Sequence, residues 1–177
     1  MRKFSLLFVT VLMLLLAIVP VANAQESTIL EIAAGNADFS TLVAAVEAAD
    51  PAIAQALSGP GPLTVLAPTN QAFENLDTFL QENFSVTLGD VIADQELLTN
   101  ILLYHVVSGA VFSPQVASLD GQVVPTLYPG TGIGIAVNED GSITINGVAD
   151  VVIADIAASN GVVHAIDNVI FNSAIVE

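Results

Sequence analysis

The chain contains no cysteine, and beyond Lys3 it contains neither lysine nor arginine. The first absence excludes a disulfide, a thiol nucleophile and a lipid-anchored cysteine, so the fold must rest on packing alone. The second absence excludes any salt bridge to a Lys or Arg side chain beyond Lys3. It also removes nucleic acid as a partner, because phosphate neutralisation needs cations. Anionic membrane surfaces are disfavoured on the same ground. No Gly-x-Ser-x-Gly elbow occurs. The two histidines, His105 and His164, stand far apart and in no metal-ligand spacing. After the N-terminal segment there is no further apolar run of membrane length.

That N-terminal segment has an ordered polarity. Met1-Arg2-Lys3 is basic, Phe4 to Val19 is uncharged, and Pro20 is followed by Ala22-Asn23-Ala24. A basic head, an apolar middle and small residues before a cut define a secretion signal. The run is shorter than a spanning helix requires. We therefore expect residues 1–24 to be a signal peptide removed after Ala24, and residues 25–177 to be one domain with no membrane anchor. The destination is extracellular, or periplasmic where the host has an outer membrane. Cleavage takes both cations away, so the formal charge moves from −16 to −18. Self-repulsion on that scale should make added salt stabilising.

Helical signals fill the first half. Thr28-x-x-Glu31 is a capping-box pattern. Asp38 precedes Phe39, Leu42, Val43 and Val46, whose spacing predicts one apolar helix face behind an acidic cap. Asp50-Pro51 opens a short helix with Ile53 and Leu57 inside. Leu63 to Leu66 reads as a strand stopped by Pro68, after which Thr69 or Asn70 caps a short helix. Asp77 to Phe84 reads as a separate turn or two. Asp94 opens a helix that runs to about Tyr104.

From His105 the period becomes two, with strands expected at Val106-Val107, Val111-Phe112, Val123-Val124, Ile133–Val137, Ser142–Ile145, Val151–Ile156 and Val162–Phe171. Asp140-Gly141 and Asn160-Gly161 are turn signals. Helices first and strands later predict an α+β domain.

Three further motifs carry less. Gly130-Thr131-Gly132-Ile133-Gly134 precedes a strand and has no cation to meet phosphate, which rules out a dinucleotide loop. Asn138-Glu139-Asp140-Gly141 lacks carboxylates at the first and last positions of a calcium loop, Ala136 and Gly147, so a hairpin turn is expected. Weak, unspecific binding of divalent cations by so acidic a surface is expected instead. Asn83-Phe84-Ser85 is a glycosylation sequon.

Three segments in order go beyond composition: Leu63-Thr64-Val65-Leu66-Ala67-Pro68-Thr69-Asn70-Gln71-Ala72-Phe73, then Ile101-Leu102-Leu103-Tyr104-His105-Val106-Val107, then Asn146-Gly147-Val148-Ala149 continuing through Ala154-Asp155-Ile156 to Ser159-Asn160-Gly161-Val162-Val163-His164-Ala165-Ile166-Asp167-Asn168-Val169-Ile170. This pattern resembles the fasciclin domain family over residues 28–171. The resemblance implies an α+β fold, a wedge-shaped β-sandwich with several packed N-terminal helices. It implies a secreted, non-enzymatic module for cell adhesion, extracellular matrix or biofilm contact, with no cofactor and with an extracellular protein or cell-surface component as partner. In animal relatives a Tyr-His pair and an Asp-Ile pair are associated with adhesion. The matching partner-binding candidates here are Tyr104, His105, Asp155 and Ile156. The alternative implied reading is a carrier or sensor for a small apolar ligand such as a pigment or lipid. His164 shares a strand face with Val162 and Ile166, the surroundings of a core residue.

Overall fold

A computed structural model describes residues 27–171. The secretion signal expected over residues 1–24 lies outside the described residues. Thr28 opens helix α1 (Ile29–Gly35) with the full capping box. A single 3-10 turn over Ala37–Phe39 leads into α2 (Ser40–Ala48), and Asp50 caps α3 (Pro51–Ser58) through the Ala52 N–H. Strand β1 (Leu63–Pro68) feeds α4 (Asn70–Phe84), which is followed by α5 (Leu88–Ala93) and α6 (Gln95–Tyr104). Strand β2 (Val106–Ser108) and the short helix α7 (Ser113–Ala117) lead to β3 (Val123–Pro125), β4 (Gly132–Val137), β5 (Ile143–Ile145), β6 (Ala149–Ala158) and β7 (Gly161–Ile166).

The seven strands form one sheet in the order β2-β1-β7-β6-β5-β4-β3. A bridge between Val107 and Thr126 brings its two ends together, so the sheet is nearly closed. β1 and β7 run parallel, with Leu66 opposite His164, and both are buried along almost their whole length. Strands covered on both faces read as unbroken apolar runs. Here Val65, Ala67 and Val163 meet the helices, while Thr64 and His164 face the strand interior beside Ile133 and Ile145. Two apolar layers thus share β1 and β7 as a common wall. This is the α+β architecture that the residue pattern predicted.

Four local expectations are corrected. Asp38 caps nothing; Asn36 accepts from the Asp38 N–H at 3.0 Å. The first turn of α2 is capped from a distance, by Asn70 Oδ1 accepting from Thr41 N–H at 3.0 Å. Asp77 to Phe84 is the second half of α4, because no breaker interrupts the chain there. Val111 and Phe112 are not strand; they enter α7, whose first turn carries Pro114. The last strand ends at Ile166, and Asp167 turns back to β6 by donating its N–H to the Asp150 carbonyl.

Candidate functional site

Tyr104 ends α6 with its ring inside the protein, 2% exposed. Its hydroxyl donates to the Gly132 carbonyl at 3.0 Å and accepts from Asn146 Nδ2 at 3.0 Å. Asn146 Oδ1 in turn accepts from the Gly134 N–H at 2.7 Å. The tyrosine therefore fastens α6 to β4 and to the turn after β5, with no polar atom left over for a partner.

His105 is also buried. Its Nε2 accepts from the Ile170 N–H at 3.1 Å, which places the ring proton on Nδ1, donated to the Ile101 carbonyl at 2.7 Å. Burial holds its pKa down to about 4, so the ring is neutral at physiological pH.

Asp155 and Ile156 lie elsewhere, on a doubly bulged stretch of β6. The register with β7 shifts between Val151 and Ile153 and again between Ile153 and Ile156. Asp155 sits in the left-handed region, φ 60°, and is exposed. Its carboxylate accepts from the Ser113 N–H at 2.7 Å, at the start of α7. Its own N–H donates to His164 Nδ1 at 3.2 Å, and His164 Nε2 donates to the Val111 carbonyl at 2.8 Å. His164 thus ties the bulge to the segment entering α7. Ile156 is half-buried against the core.

The four predicted residues do not converge on one site. Tyr104 and His105 specify packing, whereas Asp155 and Ile156 reach the surface. Beside them stand Val152 and Ile153, 53% and 47% exposed, which the residue pattern did not single out. Period-two alternation assigns one face of a strand inward; the two bulges break that alternation and turn both apolar side chains out. The only warning in the sequence is the length of the apolar run Val151-Val152-Ile153-Ala154.

Asn138–Ser142 is the predicted hairpin turn, with Gly141 at φ 85°. Asp140 accepts from the Ser142 hydroxyl and N–H, and those bonds lower its pKa. Among the described residues, no group of three or more His, Asp or Glu is placed to hold a metal ion. No single described helix is long and apolar enough to cross a membrane; α1 taken with residues 37–48 passes by composition but is bent by 105°.

The comparisons with known proteins agree on one family. The family model described as "Fasciclin domain" matches residues 37–172. Protein sll1483 of Synechocystis sp. is 46% identical over 149 residues, covering 84% of this chain and 76% of its own length. Human periostin is 37% identical over 133 residues, which are 75% of this chain and 14% of periostin. Immunogenic protein MPB70 of Mycobacterium bovis is 35% identical over 114 residues, 64% of this chain and 52% of that protein. A solved FAS1 domain pair from the insect cell adhesion molecule fasciclin I superposes with a TM-score of 0.63 at 23% identity, over 77% of this chain and 46% of that one. The three sequence segments quoted above map onto β1–α4, α6–β2 and the turn after β5 with β6–β7, the elements that build the shared wall and its ties, and the chain is a member of the fasciclin domain family.

Proposed function

We propose that this chain is an exported, non-enzymatic adhesion module of the cell surface or extracellular matrix. One observation carries this reading: the bulged part of β6 presents Val152 and Ile153 to solvent next to Asp155, in a family that includes an insect cell adhesion molecule. Two adjacent exposed apolar side chains on one strand supply the kind of apolar area a contact surface uses. The lack of Lys and Arg after Lys3 directs that surface toward neutral or cationic partners, or toward anionic ones bridged by divalent cations. Among the four predicted residues, Asp155 and Ile156 belong to the contact surface and Tyr104 and His105 to the scaffold.

The test is attachment. A strain lacking the gene is compared with the same strain complemented by the native protein, by Ile153→Asp, by Asp155→Asn and by Tyr104→Phe. Deletion should reduce cell–cell or surface attachment, Ile153→Asp should fail to restore it, and Tyr104→Phe should restore it if it is exported in equal amount. Unchanged attachment after deletion overturns the function; full restoration by Ile153→Asp overturns the surface.

A further inference from the structure

A second apolar feature lies away from β6's bulges. The middle of α4, the turn before β6 and the segment after β7 enclose an open groove of about 400 Å³. That size falls within the range of small-molecule sites, about 300–1,000 Å³. Phe79, Val148 and Phe171 form its walls and are all substantially exposed, and Leu76 and Val169 form its floor. The Phe79 ring meets Phe171 at 5.9 Å and Phe84 at 5.9 Å, so the aromatic wall continues along α4 beyond the groove. Four of the eight large exposed apolar side chains of the described residues gather here.

The polar rim is specific in sign. Asn75 and Asn168 are the two amides of the lining, joined by a 3.3 Å hydrogen bond. The Asp167 carboxylate accepts from Asn168 Nδ2 at 3.1 Å, which sets an acidic residue beside the lining, whereas the neighbouring Asp150 turns its carboxylate to the Thr144 hydroxyl on β5 at 2.6 Å. Glu82 follows Phe79 by three residues on α4, on the neighbouring stripe of the helix. No cation lies anywhere in the chain beyond Lys3 to offset these carboxylates. An aromatic and aliphatic trough edged only by amides and carboxylates rejects fatty acids and other anionic amphiphiles and accepts an apolar body bearing a positive head. A second copy of this chain is a poor occupant for the same electrostatic reason.

We propose that this groove binds a small cationic amphiphile: a hydrocarbon or aromatic body laid between Phe79, Val148 and Phe171, with its cationic head toward Asp167 and Glu82. This goes beyond the adhesive reading, giving the chain a ligand site independent of the β6 surface.

The experiment uses the exported protein and the fluorescent apolar probe N-phenyl-1-naphthylamine, displaced in turn by octyltrimethylammonium, octanol and octanoate. Octyltrimethylammonium should displace the probe at a concentration about tenfold below that of octanoate at low salt, with the difference shrinking as salt screens the rim. Phe79→Ala and Val148→Asn, both at exposed positions, should each weaken the probe several-fold while leaving the thermal midpoint near that of the native protein; Ile153→Asp should leave probe binding unchanged. Absence of probe binding, or equal displacement by octanoate, overturns the proposal. So does binding seen only after Ile175→Asp and Val176→Asp, which assigns the groove to the chain's own last residues. A dimer abolished by Phe79→Ala assigns it to a second copy and overturns the proposal as well.

Discussion

His105 Nε2 accepts the backbone N–H of Ile170 at 3.1 Å, joining the end of α6 to the segment that follows the last strand. The bond exists only while that nitrogen is unprotonated. In the folded protein the buried ring titrates near 4, whereas in the unfolded chain it titrates near its ordinary value of 6.5. The unfolded state therefore binds the proton first as pH falls. The histidine's contribution is complete above about 6.5 and is lost progressively down to about 4, a change of order 3 kcal/mol. Chemical denaturation of the native protein and of His105→Gln at neutral pH and at pH 4.5 measures it. The gap between the two should be large at neutral pH and narrow on acidification; a constant gap would disprove the assignment.

Asn160 is a buried clamp rather than a simple turn residue. Its Oδ1 accepts from the Ile29 N–H at 2.9 Å, and its Nδ2 donates to the Leu57 and Gly59 carbonyls at 2.8 and 2.9 Å. Asn160→Ala leaves one donor and two acceptors without their partner and should cost about 2–4 kcal/mol. Asn160→Asp should cost more than the alanine, because a carboxylate would face two carbonyl oxygens in a buried site. Urea midpoints order the two; equal midpoints would contradict the hydrogen-bond assignment.

Gly161 and Gly134 differ in what surrounds them. A Cβ at 161 would lie 1.9 Å from the Leu63 carbonyl oxygen, on the strand paired with β7, and the backbone there has φ 157°. A Cβ at 134 would meet only Asn146 Oδ1, at an ordinary 3.6 Å. Gly161→Ala should destabilise by more than about 3 kcal/mol or prevent folding, while Gly134→Ala should change stability by less than about 1 kcal/mol. Expression and thermal unfolding of the pair check this contrast.

The carboxylates should make the protein salt-dependent. After removal of residues 1–24 the chain would hold 18 acidic side chains and no Lys or Arg. Screening by salt relieves like-charge repulsion that no neighbouring Lys or Arg offsets. The thermal midpoint should rise between low and moderate sodium chloride, and a flat or falling midpoint would show that the acids are too dispersed to repel.

How much the residues disclosed depends on how local each signal was. The capping box at Thr28 and Glu31, the Pro51 start of α3, the Asp94 cap of α6 and the Asp140-Gly141 hairpin were all legible, because each is a contact within a few residues. Asp38 was misread for the complementary reason. The cap of α2 comes from Asn70, 29 positions beyond the Thr41 N–H it accepts, and adjacency could not reveal it.

The candidate site divides in the same way. Tyr104-His105 and Asp155-Ile156 were visible as pairs. Their fates were not visible, because exposure is decided by what packs against a residue rather than by its neighbours in the chain. The sequence by itself determined the family, the succession of a helical first half and a strand-rich second half, the absence of disulfide crosslinks and the sign of the surface, since these follow from composition and short-range pattern. Only the tertiary structure decided that Tyr104 and His105 are spent on internal hydrogen bonds, that two bulges turn Val152 and Ile153 outward, and that Phe79, Val148 and Phe171 meet around one groove. Those outcomes depend on contacts between segments tens of residues apart, which close only when the sheet curls and β1 and β7 become the wall shared by both layers of the core.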